Sequence, residues 1–324
     1  MKLSVAVLYG GRSGEHEVSI RSAESIMNAL DPERYKIIQY FISKEGIWRP
    51  RPIVPEPGRN PEIDVVFPVL HGTFGEDGTM QGLLELAELA YVGPGVLASA
   101  AAMDKEMTKR LCREAGLPVV EYVMVNGPPE LEQIEKSFPY PMFVKPANLG
   151  SSVGISKAKN REELKAAIEN AAQYDRKVIV ERTIVGQELE CSVLGNEDPK
   201  ASIPCEILPS RDFYDYDDKY ILNKTEFLLP PNLTDEQIAE LQRTAIGCYR
   251  ALGCEGMSRV DFLLEHSTGK LYINEINTIP GFTSISMYPK MWERCGLPYG
   301  KLLDRLIELA LERHKAKRAL RYTR

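Results

Sequence analysis

Only four histidines occur in 324 residues, and the six cysteines (Cys112, Cys191, Cys205, Cys248, Cys254, Cys295) form no CxxC pair. A structural zinc site is therefore not expected, and scattered cysteines of this kind stay reduced thiols. No stretch approaches the roughly 20 apolar residues that span a bilayer, so no membrane partner is expected. Met1-Lys2 runs directly into a strand-like segment, which leaves no room for a signal peptide and makes a cytoplasmic location the expectation. An excess of positive charge is missing too: 40 basic against 46 acidic residues give a net charge of -6. The basic residues are spread along the chain except in the terminal "ERHKAKRALRYTR", read as a solvated helix end, so no nucleic-acid partner is expected. Neither GxGxxG nor GxxxxGK[ST] is present, which argues against a Rossmann dehydrogenase and a P-loop enzyme. Internal repeats and low-complexity segments are absent as well.

What is present is a long chain with 44% hydrophobic residues, enough for two or three domains. Short apolar runs at Leu3–Leu8, Lys36–Ile42 and Ile63–Leu70 alternate with turn and helix signals, the pattern of an open parallel α/β sheet. Ile20, Ala23, Met27 and Leu30 recur at helical spacing until Asp31-Pro32 ends the helix. The proline-rich stretch Arg49–Pro61 reads as a surface loop. A second unit starts near Leu97, with a helix over Asp104–Ala115, a strand over Val119–Val125, a strand-turn-strand over Tyr140–Ala158 and a helix over Arg161–Ala172. The third holds "KVIVERTIVGQELECSVLG", a tyrosine-rich loop, a helix over Asp235–Leu252 and two strands flanking Ser267–Gly269. A long helix from Tyr299 closes it.

Three stretches carry chemistry. In "LYGGRSGEHEVS", Glu15, His16 and Glu17 stand near a helix N-terminus at the carboxyl end of a strand, where open α/β sheets bind ligands. A carboxylate there suits an ammonium group, although the glycines alone also fit an ordinary turn. In "KPANLGSSVGIS", Lys145 leaves an apolar strand and precedes Gly150-Ser151-Ser152-Val153-Gly154. Such a loop lets backbone N–H groups approach phosphate oxygens while the lysine adds a point charge; a plain hairpin turn fits too. In "SRVDFLLEHSTGKLYINEINTIPGFTSIS", the period of two puts Arg259 and Asp261 on one face of a strand, and Glu275 and Asn277 on one face of the next. Hard oxygen donors of this type suit magnesium held with substrate phosphates, and an adjacent arginine can neutralise a transferring phosphoryl group. A surface salt-bridge ladder is the competing reading. Apolar Val260, Phe262, Ile273 and Ile276 strain it by implying burial.

Taken in order, "GGRSGEHEVS", "VLHGTFGEDGTMQG", "MDK", "KPANLGSSVGI", "FYDYDDKY", "SRVDFLL" and "NEINTIPGFTSIS" resemble the ATP-grasp superfamily and, within it, the D-alanine–D-alanine ligases, along the whole chain. The resemblance implies an α/β (α+β) chain with the ATP-grasp fold. An N-terminal open parallel α/β substrate domain would occupy 1–96, a central subdomain 97–181, and a C-terminal catalytic domain 182–324, with a lid at 211–224 and ATP clasped between the last two. It implies that Lys105, Lys145 and Lys219 meet phosphate, that Ser151 and Ser152 cover the γ-phosphate, and that Glu181 and Glu188 meet adenine and ribose. Asp261, Glu275 and Asn277 would hold two magnesium ions, or manganese in their place. Glu15 would bind the ammonium of the first D-alanine, with Val18 and His71 beside it. Arg259 and the backbone near Gly281 would stabilise the oxyanion, and Ser286 and Met287 would receive the second D-alanine. Tyr220 would join Ser151 and Glu15 when the lid closes, which favours an amine over D-lactate as acceptor. D-serine stays open, since an apolar pocket discriminates weakly against one hydroxyl. The implied product serves peptidoglycan synthesis, and the implied assembly is a homodimer.

Overall fold

The computed structural model describes residues 2–150, 153–208 and 226–322. Its first sheet contains β1 (Leu3–Gly10), β2 (Tyr35–Ile42), β3 (Trp48–Arg49), β4 (Val65–Pro68) and β5 (Ala90–Tyr91), in the order β3-β2-β1-β4-β5. Val5 to Leu8 of β1 are fully buried, as expected of a central parallel strand covered on both faces. The sheet is not wholly parallel, because β3 pairs antiparallel with β2. Only five residues join them, too few for the crossover that a parallel pair needs. Helix α1 (His16–Ala29) follows β1, and α2 (Thr79–Leu86) precedes β5. The stretch 49–61 is only partly a surface loop. Ile53 and Asn60 are buried, and the Asn60 amide both accepts from Val54 N–H (3.1 Å) and donates to Val54 C=O (2.9 Å).

Helices α3 (Val96–Met103) and α4 (Lys105–Glu114) lead into a second, antiparallel sheet of β6 (Tyr122–Asn126), β7 (Met142–Pro146), β8 (Ser156–Ala158) and β9 (Lys177–Arg182), ordered β6-β9-β7-β8. With α5 (Leu131–Ser137) and α6 (Arg161–Ala171) it builds its own small core around Ile134, Val144, Leu164 and Val180. The third sheet comprises β10 (Gly186–Gly195), β11 (Lys200–Ala201), β12 (Cys205–Leu208), β13 (Glu226–Leu228), β14 (Gly256–Glu265) and β15 (Leu271–Asn277), with α7 (Asp235–Ala251) against it. A Thr234–Gln237 capping box starts α7. Helices α8 (Met287–Arg294) and α9 (Tyr299–Arg318) follow.

Packing cuts across sequence order. Ala98 and Ala102 of α3 and Cys112 of α4 sit in the core of the third sheet, beside Leu189, Val260 and Ile273. Leu302, Leu306 and Ile307 of α9 pack with Val5, Ile26 and Phe67 of the first unit. The basic end of α9 is accordingly not all solvated: Arg313 donates to Tyr91 C=O (2.9 Å) and stacks 4.3 Å from the Tyr91 ring centre. No described helix is long and apolar enough to cross a membrane.

Candidate active site

The turn after β1 is shaped by Gly10, whose φ of +91° suits glycine and where a β-carbon would stand 2.2 Å from Ile42 O. It delivers Glu15 to the N-cap of α1. The three polar residues predicted together here separate. His16 is buried with Nδ1 2.6 Å from Gly11 O, and Glu17 is exposed on Lys44 (2.8 Å), so only Glu15 faces the cavity. Its carboxylate lies against Gly72 and Gly150, where β-carbons would come within 2.9 and 3.3 Å of Oε2.

His71, just beyond β4, is buried, with Nδ1 3.0 Å from Ile279 O and Nε2 3.2 Å from Ser22 Oγ. A carbonyl only accepts, so Nδ1 carries the proton and Nε2 accepts from the serine. Burial pushes the imidazole below its usual range despite the nearby Glu15 charge, in keeping with that neutral form. Glu76, in the same loop, is pushed up to about 8 by burial and by Glu15.

Asp104 caps α4 by accepting from Glu106 and Met107 N–H, which sets Lys105 at the helix start. Its ammonium donates to Leu149 C=O (2.8 Å) and meets Glu275 at 3.1 Å. One turn on, buried Lys109 pairs with Glu181 at 2.8 Å, and Lys145 of β7 meets the other oxygen of that carboxylate at 2.7 Å. Burial alone would raise the pKa of Glu181, but the two ammoniums outweigh it and hold it at about 2. The same carboxylate keeps Lys145 above its ordinary value against the opposing effect of burial.

On β14 and β15, Asp261 faces Glu275 and Arg259 faces Asn277 in register, the arrangement that the period of two predicted. The register then slips, so that Phe262 faces Ile273 and Asn274 is the extra residue of a bulge. The bulge lets Asn274 accept from Lys145 (3.1 Å). Arg259 grips both Asp261 oxygens at 2.7 Å and meets Glu190 of β10 at 3.1 Å. Hard oxygen donors in this set suit magnesium, and cationic groups already stand on two of them, Arg259 on Asp261 and Lys105 on Glu275. Among the described residues no three acidic, histidine or cysteine side chains gather as a metal cluster.

Two cavities meet here. The larger, about 700 Å³, is lined by Glu15, Val18, His71, Asn277, Gly281, Ser286 and Met287 among others. The smaller, about 280 Å³, is lined by Lys145, Glu181, Glu188, Asp261 and Asn274, with apolar Phe143, Ile155, Ile207 and Leu263. Lys105, Gly150, Glu190, Arg259 and Glu275 belong to both walls. Ser151, Ser152, Lys219, Tyr220 and the 211–224 lid lie outside the described residues. The sequence reading missed Ser22, Glu76, Lys109, Glu190 and Asn274. Glu190 carried a signal, lying two residues from Glu188 on one strand; the bulge at Asn274 carried none.

A polar slot bounded by two antiparallel sheets and joined to a second cavity defines the class: this is the ATP-grasp fold, preceded by an open α/β unit. Family profiles described as the D-ala D-ala ligase C-terminus and N-terminus match residues 111–308 and residues 4–55 and 49–94. The chain is 65% identical to the D-alanine–D-alanine ligase of Solibacter usitatus, covering all of both chains. It is 52% identical to that of Thermoanaerobacter sp. strain X514, over 98% of each. The solved D-alanine–D-alanine ligase of Coxiella burnetii superposes with a TM-score of 0.88 at 39% identity, covering 98% of this chain and 96% of that one. VanG D-Ala:D-Ser ligase from Enterococcus faecalis also gives 0.88, at 37% identity over 96% of this chain and all of that one. The chain belongs to the D-alanine–D-alanine ligase family.

Proposed function

We propose that the chain joins two D-alanine molecules into D-alanyl-D-alanine, converting ATP to ADP and phosphate through a D-alanyl phosphate, in the supply of peptidoglycan precursors. The observation that carries this reading is the wall of Lys105, Arg259 and Glu275 common to both cavities. A phosphoryl group can pass from a nucleotide in the small cavity to a carboxylate in the large one only across such a wall.

On this reading Glu15 holds the ammonium of the first D-alanine, and its carboxylate points at the shared wall. Lys105 and Lys145 neutralise the ATP phosphates, while Glu181 and Glu188 lie toward adenine and ribose. The carboxylate oxygen attacks the γ-phosphorus and ADP leaves. The amine of the second D-alanine, once deprotonated, attacks the carbonyl carbon, and phosphate departs. Arg259 and the backbone at Gly281 face the oxyanion formed in that step; one such donor is worth about 10²–10³ in rate. Ser286 stands at the N-cap position of α8 without a side-chain bond to the helix, so the N–H groups at the start of that helix are available to the acceptor's carboxylate. Asp261, Glu275 and Asn277 would hold magnesium, two ions in this reading, which supplies charge neutralisation for the transferring phosphoryl group. Alignment of the two reactants alone removes about 7–11 kcal/mol from such a barrier.

The test is phosphate release from ATP and magnesium with D-alanine, L-alanine or no amino acid, followed by mass spectrometry of products from D-alanine mixed with D-serine or D-lactate. Release confined to D-alanine, with D-alanyl-D-alanine dominant, is the expected result. Release without that dipeptide would overturn the substrate assignment, and a mixed D-alanyl-D-serine product would move the acceptor specificity.

A further inference from the structure

The segment after β15 carries Gly281, yet it is held by side chains from the first 80 residues. Glu76 Oε1 accepts from Ile279 N–H at 3.1 Å, a donor shared with Asn277 Oδ1 at 3.0 Å, and Glu76 Oε2 accepts from Gly72 N–H at 2.5 Å. His71 donates to Ile279 C=O at 3.0 Å. Ser22 of α1 donates to His71 Nε2 and accepts from Phe282 N–H, both at 3.2 Å. Backbone groups on both sides of Pro280-Gly281 are thus tied to the wall that presents Glu15 and His71. Glu76 and Ser22 are buried, and burying a carboxylate is costly unless its oxygens are hydrogen-bonded. Here each oxygen has a backbone donor from a different loop.

We propose that Glu76 and Ser22 are positioning residues that clamp the 279–282 segment to the Glu15–His71 wall, setting the distance between the acyl donor and the Gly281 backbone that faces its oxyanion. The inference rests on the reading of the large cavity as the seat of both D-alanines. Neither residue performs a chemical step. A displacement of about 1 Å in such a site costs roughly 10²-fold in rate, so a loosened clamp is seen in turnover before it is seen in nucleotide binding.

Glu76→Gln keeps the side-chain size but replaces one acceptor oxygen by an amide N–H₂, which would oppose a backbone N–H. Ser22→Ala removes only a hydroxyl. Steady-state phosphate release in the full-length protein, varying D-alanine and ATP separately, tests both variants and their combination. Glu76→Gln is expected to lower kcat about 30- to 100-fold and Ser22→Ala about 5- to 10-fold, with the KM for ATP within about twofold of wild type. Because both residues hold one segment, the double variant should lose clearly less than the product of the single losses. Ser22→Ala should melt close to wild type, which separates positioning from destabilisation and decides the matter even where Glu76→Gln fails to fold. Unchanged kcat in Ser22→Ala, or a KM for ATP rising in step with the loss of kcat, would overturn the clamp. Absence of D-alanyl-D-alanine from the wild-type reaction would instead overturn the ligase reading, and the clamp's role with it.

Discussion

Glu181→Gln probes the electrostatics of the nucleotide slot. The wild-type carboxylate lies 2.8 Å from Lys109 and 2.7 Å from Lys145, and its pKa is held at about 2 instead of the ordinary 4.5. At about 1.4 kcal/mol per pH unit, that difference amounts to about 3 kcal/mol of folding free energy near neutral pH. A carboxyl depressed in the fold stabilises fully above its unfolded value, so this contribution is lost as pH falls from about 4.5 to about 2. Glutamine removes it at every pH and leaves Lys109, which is completely buried, without its carboxylate. Breaking a buried pair in this way costs about 3–5 kcal/mol, which agrees with the value from the acidity. Burial already pushes Lys109 below its ordinary range, and losing Glu181 pushes it further. The unfolded variant then binds a proton that the folded variant does not, so its stability rises with pH. Urea unfolding of wild type and variant near pH 7 and near pH 9 should show a gap of about 3 kcal/mol that narrows at the higher pH. Adding Lys109→Met to the variant should recover part of the loss by removing the orphaned charge. A gap below about 1 kcal/mol near pH 7, or one that stays constant up to pH 9, would refute the reasoning.

Three further changes address the rest of the site. Asp261→Asn should cut turnover about 100-fold at low magnesium with the fold intact, and near-normal turnover in a magnesium titration would remove Asp261 from the metal set. Asn274→Ala takes away an acceptor of Lys145 and should raise the KM for ATP about fivefold, the equivalent of about 1 kcal/mol, leaving the KM for D-alanine unchanged. Gly281→Ala puts a β-carbon 2.8 Å from Ser286 Oγ, where Thr283 N–H now donates at 3.0 Å. Its kcat should fall about 10- to 100-fold, and a fall in ATP affinity of the same size would locate the damage elsewhere.

Much of the site was legible because it rests on short-range rules. The alternation in "SRVDFLL" and "INEIN" placed Arg259, Asp261, Glu275 and Asn277 correctly, since a strand's two-residue period needs no knowledge of the rest of the molecule. The helices over Asp104–Ala115 and Asp235–Leu252 were legible as well, and the structure shows why their starts are local: Asp104 and Thr234 accept from backbone donors two or three residues on. The bulge at Asn274 was not legible, because a register slip depends on the partner strand and leaves no mark on residue types. Nothing in the sequence set Lys109 apart from the other basic residues of its helix; only packing buried it against Glu181.

From its own residues, then, the chain determined which segments become strands and helices, and which side chains share a face, because those outcomes are set by neighbours within a few positions. Only the tertiary structure decided that α9 would cover the first sheet and that α3 and α4 would complete the core of the third. The same holds for Ser22 and Phe282, hydrogen-bonded across 260 residues, and for the cavities that share Lys105, Arg259 and Glu275. Such contacts arise where apolar faces from distant segments find a common core. The polar groups carried along with them are then paired wherever that packing leaves them.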